Sequence, residues 1–283
     1  MYSLTEGLQH ELGIQKLSHA FGPTTMSKVD ARGGVGPGER NKNIVNIIKC
    51  AFYCKGYPGG NFDGIWKSSP PLGPQQDAVA GSLYAMTDNM GIGKQDRLNA
   101  KLFKALLTMD AYVLVAGGDP EVRKIQQWLN GRYWRRSFAT LIPTEGHYSR
   151  DVQKLLMKAL QSEFGIADAS VNGNFGPATQ RQLAAHSLKP GDSGVLVELL
   201  SAACVFNGAV PSGRGMVHTV FKHEFDDKLA SYIRAFQAFS LLPVTNPWTT
   251  LLGVNYWYLR ATQIARLMHV IRDSQSLSRL RIR

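Results

Sequence analysis

The chain has 283 residues, 44% of them hydrophobic and 19% charged, the make-up of a soluble globular protein long enough for one or two ordinary domains. Lys and Arg outnumber Asp and Glu by 32 to 21, a formal charge of +11 that favours anionic partners: nucleic acid, acidic lipid, or the carboxylates and phosphates of a bacterial wall. Charge alone does not choose among these; the arginines are spread out except near the C-terminus, no compact basic stripe of the nucleic-acid kind stands out, and nucleic acid is not an expected partner.

Taken in chain order, the first expected element is a helix ending in Leu12-Gly13-Ile14, where glycine suits a left-handed C-cap. Phe21-Gly22-Pro23-Thr24-Thr25 announces a second helix, since proline is favourable at a first helical position. After the breaker run Gly33 to Gly38, the stripe Ile44, Ile47, Ile48, Ala51, Phe52 predicts an amphipathic helix. A turn follows at Asp63-Gly64-Ile65-Trp66, then a helix from near Asp77 to Met90-Gly91-Ile92, then one over Leu98 to Tyr112. The series restarts after Gly117-Gly118-Asp119-Pro120, with Val122, Ile125 and Leu129, the turn Glu145-Gly146-His147-Tyr148, a helix ending in Phe164-Gly165-Ile166, and Phe175-Gly176-Pro177-Ala178-Thr179. It starts once more after Lys189-Pro190-Gly191-Asp192: Leu196, Leu199, Leu200, Ala203, Cys204, the turn His223-Glu224-Phe225, the weaker copy Ala235 to Leu242, and a short piece over Thr249 to Leu252.

These segments are copies of one pattern. Leu12, Met90, Phe164 and Ser240 occupy equivalent positions, 78, 74 and 76 residues apart, and a period that regular marks a repeat. The expected fold is all-α: tandem three-helix units over 43–116 and 119–188, a divergent one over 192–253, a partial one over 1–35 holding only the second and third helices, and a basic tail over 254–283. A unit lacking a helix leaves an apolar face bare, so either a neighbour covers it or the chain is a fragment; the fragment reading is preferred. Cys50, Cys54 and Cys204 form no disulfide framework, and without a CxxC or nearby His cluster they read as buried core cysteines, with no metal or cofactor expected. No secretory signal opens the chain, and no apolar run reaches the roughly 18 residues of a membrane span.

A Gly-X-aromatic turn between amphipathic helices, then a Gly-terminated helix and a short third one, resembles the peptidoglycan-binding type 1 family. Phe175-Gly176-Pro177-Ala178-Thr179 and Asp63-Gly64-Ile65-Trp66 are close to its signature. The tandem order, with Asn43 to Ile48 and Tyr148 to Lys154, is similar to the N-terminal repeat region of secreted bacterial proteins carrying a glycoside-hydrolase-like domain. The likeness covers roughly residues 3–252 and departs in three places. Prolines stand at Pro70, Pro71 and Pro74, where a second helix would begin; His223 replaces the turn glycine; and only Val254 to Arg283 stand where the hydrolase-like domain would follow. The resemblance therefore implies wall binding without catalysis, in an extracellular or cell-wall location.

A ligand groove is expected between the second and third helices beside the turns. Its partner would be the stem peptide and amino sugar of peptidoglycan, met by Asn61, Asp63, Ser149, Arg150, Asn172, Asn174 and Thr179. Arg150 is the leading candidate, because a guanidinium grips a carboxylate through two bonds. Asp63 reads first as a turn cap. Trp66 and Tyr148 are candidates for sugar stacking, whereas Phe175 and Phe225 read as core plugs. There is no HExxH, nucleophile elbow or phosphate loop, and Asp226-Asp227 reads as a helix start rather than a glycosidase pair, so no catalytic residue is assigned. A wall-hydrolase targeting segment and a helical protein-interaction scaffold are the alternatives. The tail reads as a covering helix with a disordered end or a frame-shifted stretch, ahead of a membrane-surface helix.

Overall fold

The structure, a computed structural model, describes residues 2–67, 79–109, 111–241 and 244. The described residues form ten α-helices: α1 (Tyr2–Glu11), α2 (Pro23–Ala31), α3 (Lys42–Cys54), α4 (Val79–Asn89), α5 (Ala100–Thr108), α6 (Pro120–Tyr133), α7 (Arg150–Glu163), α8 (Pro177–Ala185), α9 (Val195–Asn207) and α10 (Asp227–Phe239). A short 3-10 turn (Asp168–Ser170) and a hairpin of β1 (Val210–Ser212) and β2 (Gly215–Val217) complete it. The chain is mostly helical, as expected. The hairpin was not foreseen, because three-residue strands around Ser212-Gly213-Arg214 carry no readable alternation. The tail, the piece at Thr249 to Leu252 and the prolines at 70–74 lie outside the described residues.

Local chemistry sets most helix ends. The side chains of Asn41, Asn99, Asp119 and Asp226 accept hydrogen bonds from amides of the first turn, and Pro23, Pro120 and Pro177 open their helices. Asp226 is thus a helix cap, the role read for it in the sequence. The helix expected from Leu98 to Tyr112 is shorter: Asn99 caps it, and Leu98 pairs instead with Val35 in an antiparallel bridge. Part of the expected linker at 33–38 is therefore held in extended pairing.

One helix ending recurs. After α1, α4 and α7, Gly13, Gly91 and Gly165 take φ of 70°, 78° and 76°, and the amides of Ile14, Ile92 and Ile166 return to the carbonyls of Gln9, Thr87 and Gln161. After α10 the same place falls to Leu241, whose φ of 57° strains a side chain with a Cβ. Leu241 is 93% exposed and loses nothing by truncation, so Leu241→Gly is expected to raise stability by up to about 1 kcal/mol in thermal unfolding.

The chain divides into two compact units, Met1–Leu155 and Leu156–Arg283, with the division inside α7. In the first, α1 packs on α3 and α5, and α2 packs on α5. Leu8, Phe21, Val29, Ile44, Phe52 and Phe103 belong to one buried cluster, with the Phe21 and Phe103 rings 6.2 Å apart. The apolar face of the two-helix opening segment is thus covered by its neighbour. The α3 stripe is shifted from the expected one: Ile44, Val45, Ile48, Ala51 and Phe52 are buried, Ile47 is half-buried, and the charged Lys49 is fully buried. Cys50 and Cys54 correct the reading as core residues. They lie on another face of α3, Cys50 half-buried and Cys54 exposed, while Cys204 is buried.

The end of α4 docks closely on α6. A Cβ on Gly91 would stand 2.5 Å from the carbonyl oxygen of Gln127, and one on Gly131 equally near that of Gly91. Beside this crossing Arg123 donates to the carbonyl of Thr144 (3.0 Å) and to Asn89 Oδ1 (3.1 Å), and Thr144 Oγ1 donates to the carbonyls of Asn89 and Tyr112. In the second unit α10 packs on β1 and α9, and the buried Tyr232 hydroxyl donates to the carbonyls of Cys204 and Gly208. Buried residues lie nearly all round α9 (Val197, Leu199, Ala202, Ala203, Cys204, Phe206) rather than along one stripe. No helix among the described residues is long and apolar enough to cross a membrane.

Candidate functional site

The expected ligand residues fall on three loops, and two of these are fastened from below by a buried polar side chain. Around Asn61 to Trp66 the fastener is Lys49, whose ammonium donates to the carbonyl of Asn61 and to Asp63 Oδ1. Asn46 Oδ1 accepts the amide of Gly64 (2.8 Å), and Asp63 Oδ1 also accepts that of Ile65 (3.0 Å). The hydrogen bond from Lys49, then that from Ile65, holds the Asp63 carboxyl well below the ordinary carboxylate range despite some burial. Asp63 is thus committed to the turn and to Lys49, with Lys67 3.3 Å from its other oxygen. Trp66 is 7% exposed and part of the first unit's core, its indole N–H without an acceptor among the described residues.

The second loop holds Tyr148, Ser149 and Arg150. Just before it, Gln126 accepts the amide of Gly146 (2.9 Å) and donates to the carbonyl of His147 (2.8 Å), and Asn130 exchanges two hydrogen bonds with Ile142. Ser149 precedes α7, and its hydroxyl accepts the Val152 amide at 3.4 Å. Tyr148 is half-buried. Arg150 opens α7, is exposed, and has no partner among the described residues.

The third loop lies in the second unit, where Asn172, Asn174 and Thr179 converge on one buried side chain, Gln161 of α7. Its Nε2 donates to the Asn174 carbonyl (2.8 Å) and to Thr179 Oγ1 (3.0 Å); its Oε1 accepts the amides of Asn172 (3.1 Å) and Gly173 (2.9 Å). Asn172 Oδ1 in turn accepts the Asn174 amide. Thr179 is buried, and Asn172 and Asn174 are exposed. Phe225 is fully buried, whereas Phe175 is half-buried.

The same construction stands at the start of the chain, where Gln9 of α1 donates to the carbonyl of Ala20 and to Thr25 Oγ1 and accepts the amide of Ser18. The glutamines that hold these loops were missed in the sequence because a lone Gln on a helix reads as solvated. The available signal was the recurrence of Gln9, Gln161 and Gln237 at one place in the pattern. Near α9, where histidine replaces the turn glycine, His223 Nδ1 meets Glu198 Oε1 at 2.5 Å and the Lys222 amide donates to Ser201 Oγ. The described residues hold no group of three or more His, Cys, Asp or Glu placed to bind a metal.

Comparison with known families and proteins shows what the chain resembles. Residues 115–251, a little under half of the chain, match the family described as "FadG/YbfG, PGDB-like domain", a peptidoglycan-binding-like domain. Two Bacillus subtilis (strain 168) proteins are similar over most of the chain: "Uncharacterized protein FadG", 40% identical over 86% of this chain and 40% of its own length, and "Uncharacterized protein YbfG", 34% identical over 87% of this chain and 31% of its own. The chain thus spans well under half of either relative. No solved structure matches it.

Proposed function

We propose that this chain binds bacterial peptidoglycan non-covalently through tandem three-helix units, acting outside the cell at the wall. The match of residues 115–251 to a PGDB-like domain is the observation that carries the reading. The recurring glycine-ended helices and the loops held by Gln9 and Gln161 support a repeat of the unit, with boundaries near 1–35, 43–116, 119–188 and 192–253. The ligand is the stem peptide and amino sugar. Exposed groups on the loops (Asn61, Asn172, Asn174 and above all Arg150) make contact, while Asp63, Trp66, Ser149 and Thr179 shape the surface and Tyr148 lends its ring edge. Several weak sites on one chain would add through avidity.

Incubation with purified, protein-free cell walls tests this: co-sedimentation is expected, and a chain that stays in the supernatant overturns it. Arg150→Ala is expected to weaken wall binding about tenfold while leaving helicity unchanged, the loss of one charge-assisted carboxylate contact. Equal binding would remove Arg150 from the site. A second reading is the targeting part of a wall hydrolase, for which the greater length of both relatives leaves room. Lysis of the same walls by the longer proteins tests it.

A further inference from the structure

The bridge between Val35 and Leu98 brings the glycine-rich run 33–38 against Arg97, closing a cleft of about 390 Å³ between segments far apart in sequence. Arg32, Arg40 and Arg97 line it together with Glu39 and backbone of the glycine run. Arg32 is already used: its Nη2 reaches both oxygens of Glu39 at 2.9 Å. Burial pushes the Glu39 carboxyl up, but the amide of Asn41 and the Arg32 guanidinium outweigh it and keep Glu39 ionised, so this pair is neutral.

Two charges are left over. Arg97 gives two of its N–H groups to the carbonyls of Gly33 (3.3 Å) and Gly34 (3.5 Å), which set its position and leave the rest of its donors open. The Arg40 guanidinium is exposed and has no partner among the described residues. The cleft depends on small residues. A Cβ on Gly36 would stand 2.6 Å from Arg97 Cγ, and one on Gly34 equally near the carbonyl oxygen of Leu98.

We infer that this cleft binds a free carboxylate of the peptidoglycan stem peptide through Arg40 and Arg97. The inference rests on the wall-binding reading and places a contact away from the loops described above. A guanidinium offers a planar fork that matches a carboxylate edge, and in this same cleft Arg32 already holds a carboxylate, a single nitrogen bridging both oxygens of Glu39. Because Arg97 is positioned beforehand by the carbonyls of Gly33 and Gly34, its share of the side-chain freedom lost on binding is reduced.

The test measures binding of the full chain to a soluble muramyl peptide with free stem carboxylates, to its amidated form, and to walls before and after extraction of phosphodiester polymers. Wild type is expected to prefer the free-carboxylate peptide by about tenfold or more, and Arg40→Gln to abolish that preference without changing thermal unfolding. Gly36→Ala keeps every charge but displaces Arg97, and is expected to lower the preference as well. Equal affinity for free and amidated peptide, or an Arg40→Gln variant that keeps the preference, overturns the inference while wall binding stands. Binding to walls that vanishes once phosphodiester polymers are removed also overturns it, in favour of a phosphate ligand. A wild type that binds neither peptide nor walls overturns the wall-binding reading and this one together.

Discussion

Asp63→Asn is expected to lower the stability of the first unit by about 3 kcal/mol at neutral pH, the low end for breaking one side of a buried ion pair. The Lys49 side chain is fully buried, and its described partners are Asp63 and the carbonyl of Asn61. Replacing the carboxylate leaves an ammonium in a poor dielectric with neutral acceptors alone, the Asn61 carbonyl and the introduced amide oxygen. The low end applies because the Asp63 side chain is 31% exposed and water screens part of the attraction. A second substitution, Lys49→Met, is expected to recover much of the loss by removing the stranded charge. If the single and double variants unfold alike in urea, the pair is not coupled as described.

The pH dependence of the wild type follows from the same contact. Asp63 has a folded-state pKa below its unfolded value near 4. Its contribution is therefore complete above about pH 4 and is lost as pH falls from there toward the folded-state value. The gap in urea midpoint between wild type and the Asp63→Asn variant is expected to narrow between pH 7 and pH 3. A gap that stays constant across that range would contradict the assignment.

Phe103→Ala is expected to cost about 3–5 kcal/mol, the range for emptying a buried aromatic site. Phe103 is fully buried on α5, beside Phe21 and within the cluster that also holds Leu8, Val29 and Phe52. Since α2 packs on α5 and α1 on α3 and α5, the loss is expected to reach residues 2–31 as well as 42–109. Hydrogen exchange reads this directly: protection should fall together in α1, α2, α3 and α5. If α1 and α2 keep their protection while α5 loses it, the opening segment has a core of its own.

Much of the fold could be read locally. Proline at Pro23, Pro120 and Pro177, the caps Asn41 and Asp119, and glycine at Gly13, Gly91 and Gly165 each act within a few residues of themselves, so their consequences do not wait on the rest of the chain. The candidate site was legible only in part. Asn172, Asn174 and Thr179 do gather in one place, but around Gln161, and Asp63 is occupied by Lys49. A polar residue on a helix looks solvated until a distant loop closes over it and supplies its hydrogen bonds.

From the residues alone came most of the helices and their glycine and proline ends, because propensity, capping and apolar spacing are short-range. Tertiary structure decided which face of α3 is buried, leaving Lys49 inside and Cys54 outside, and it placed Arg97 against the glycine run of 33–38. Burial and charge pairing depend on which distant segments meet in space, and that is set by packing of the whole unit.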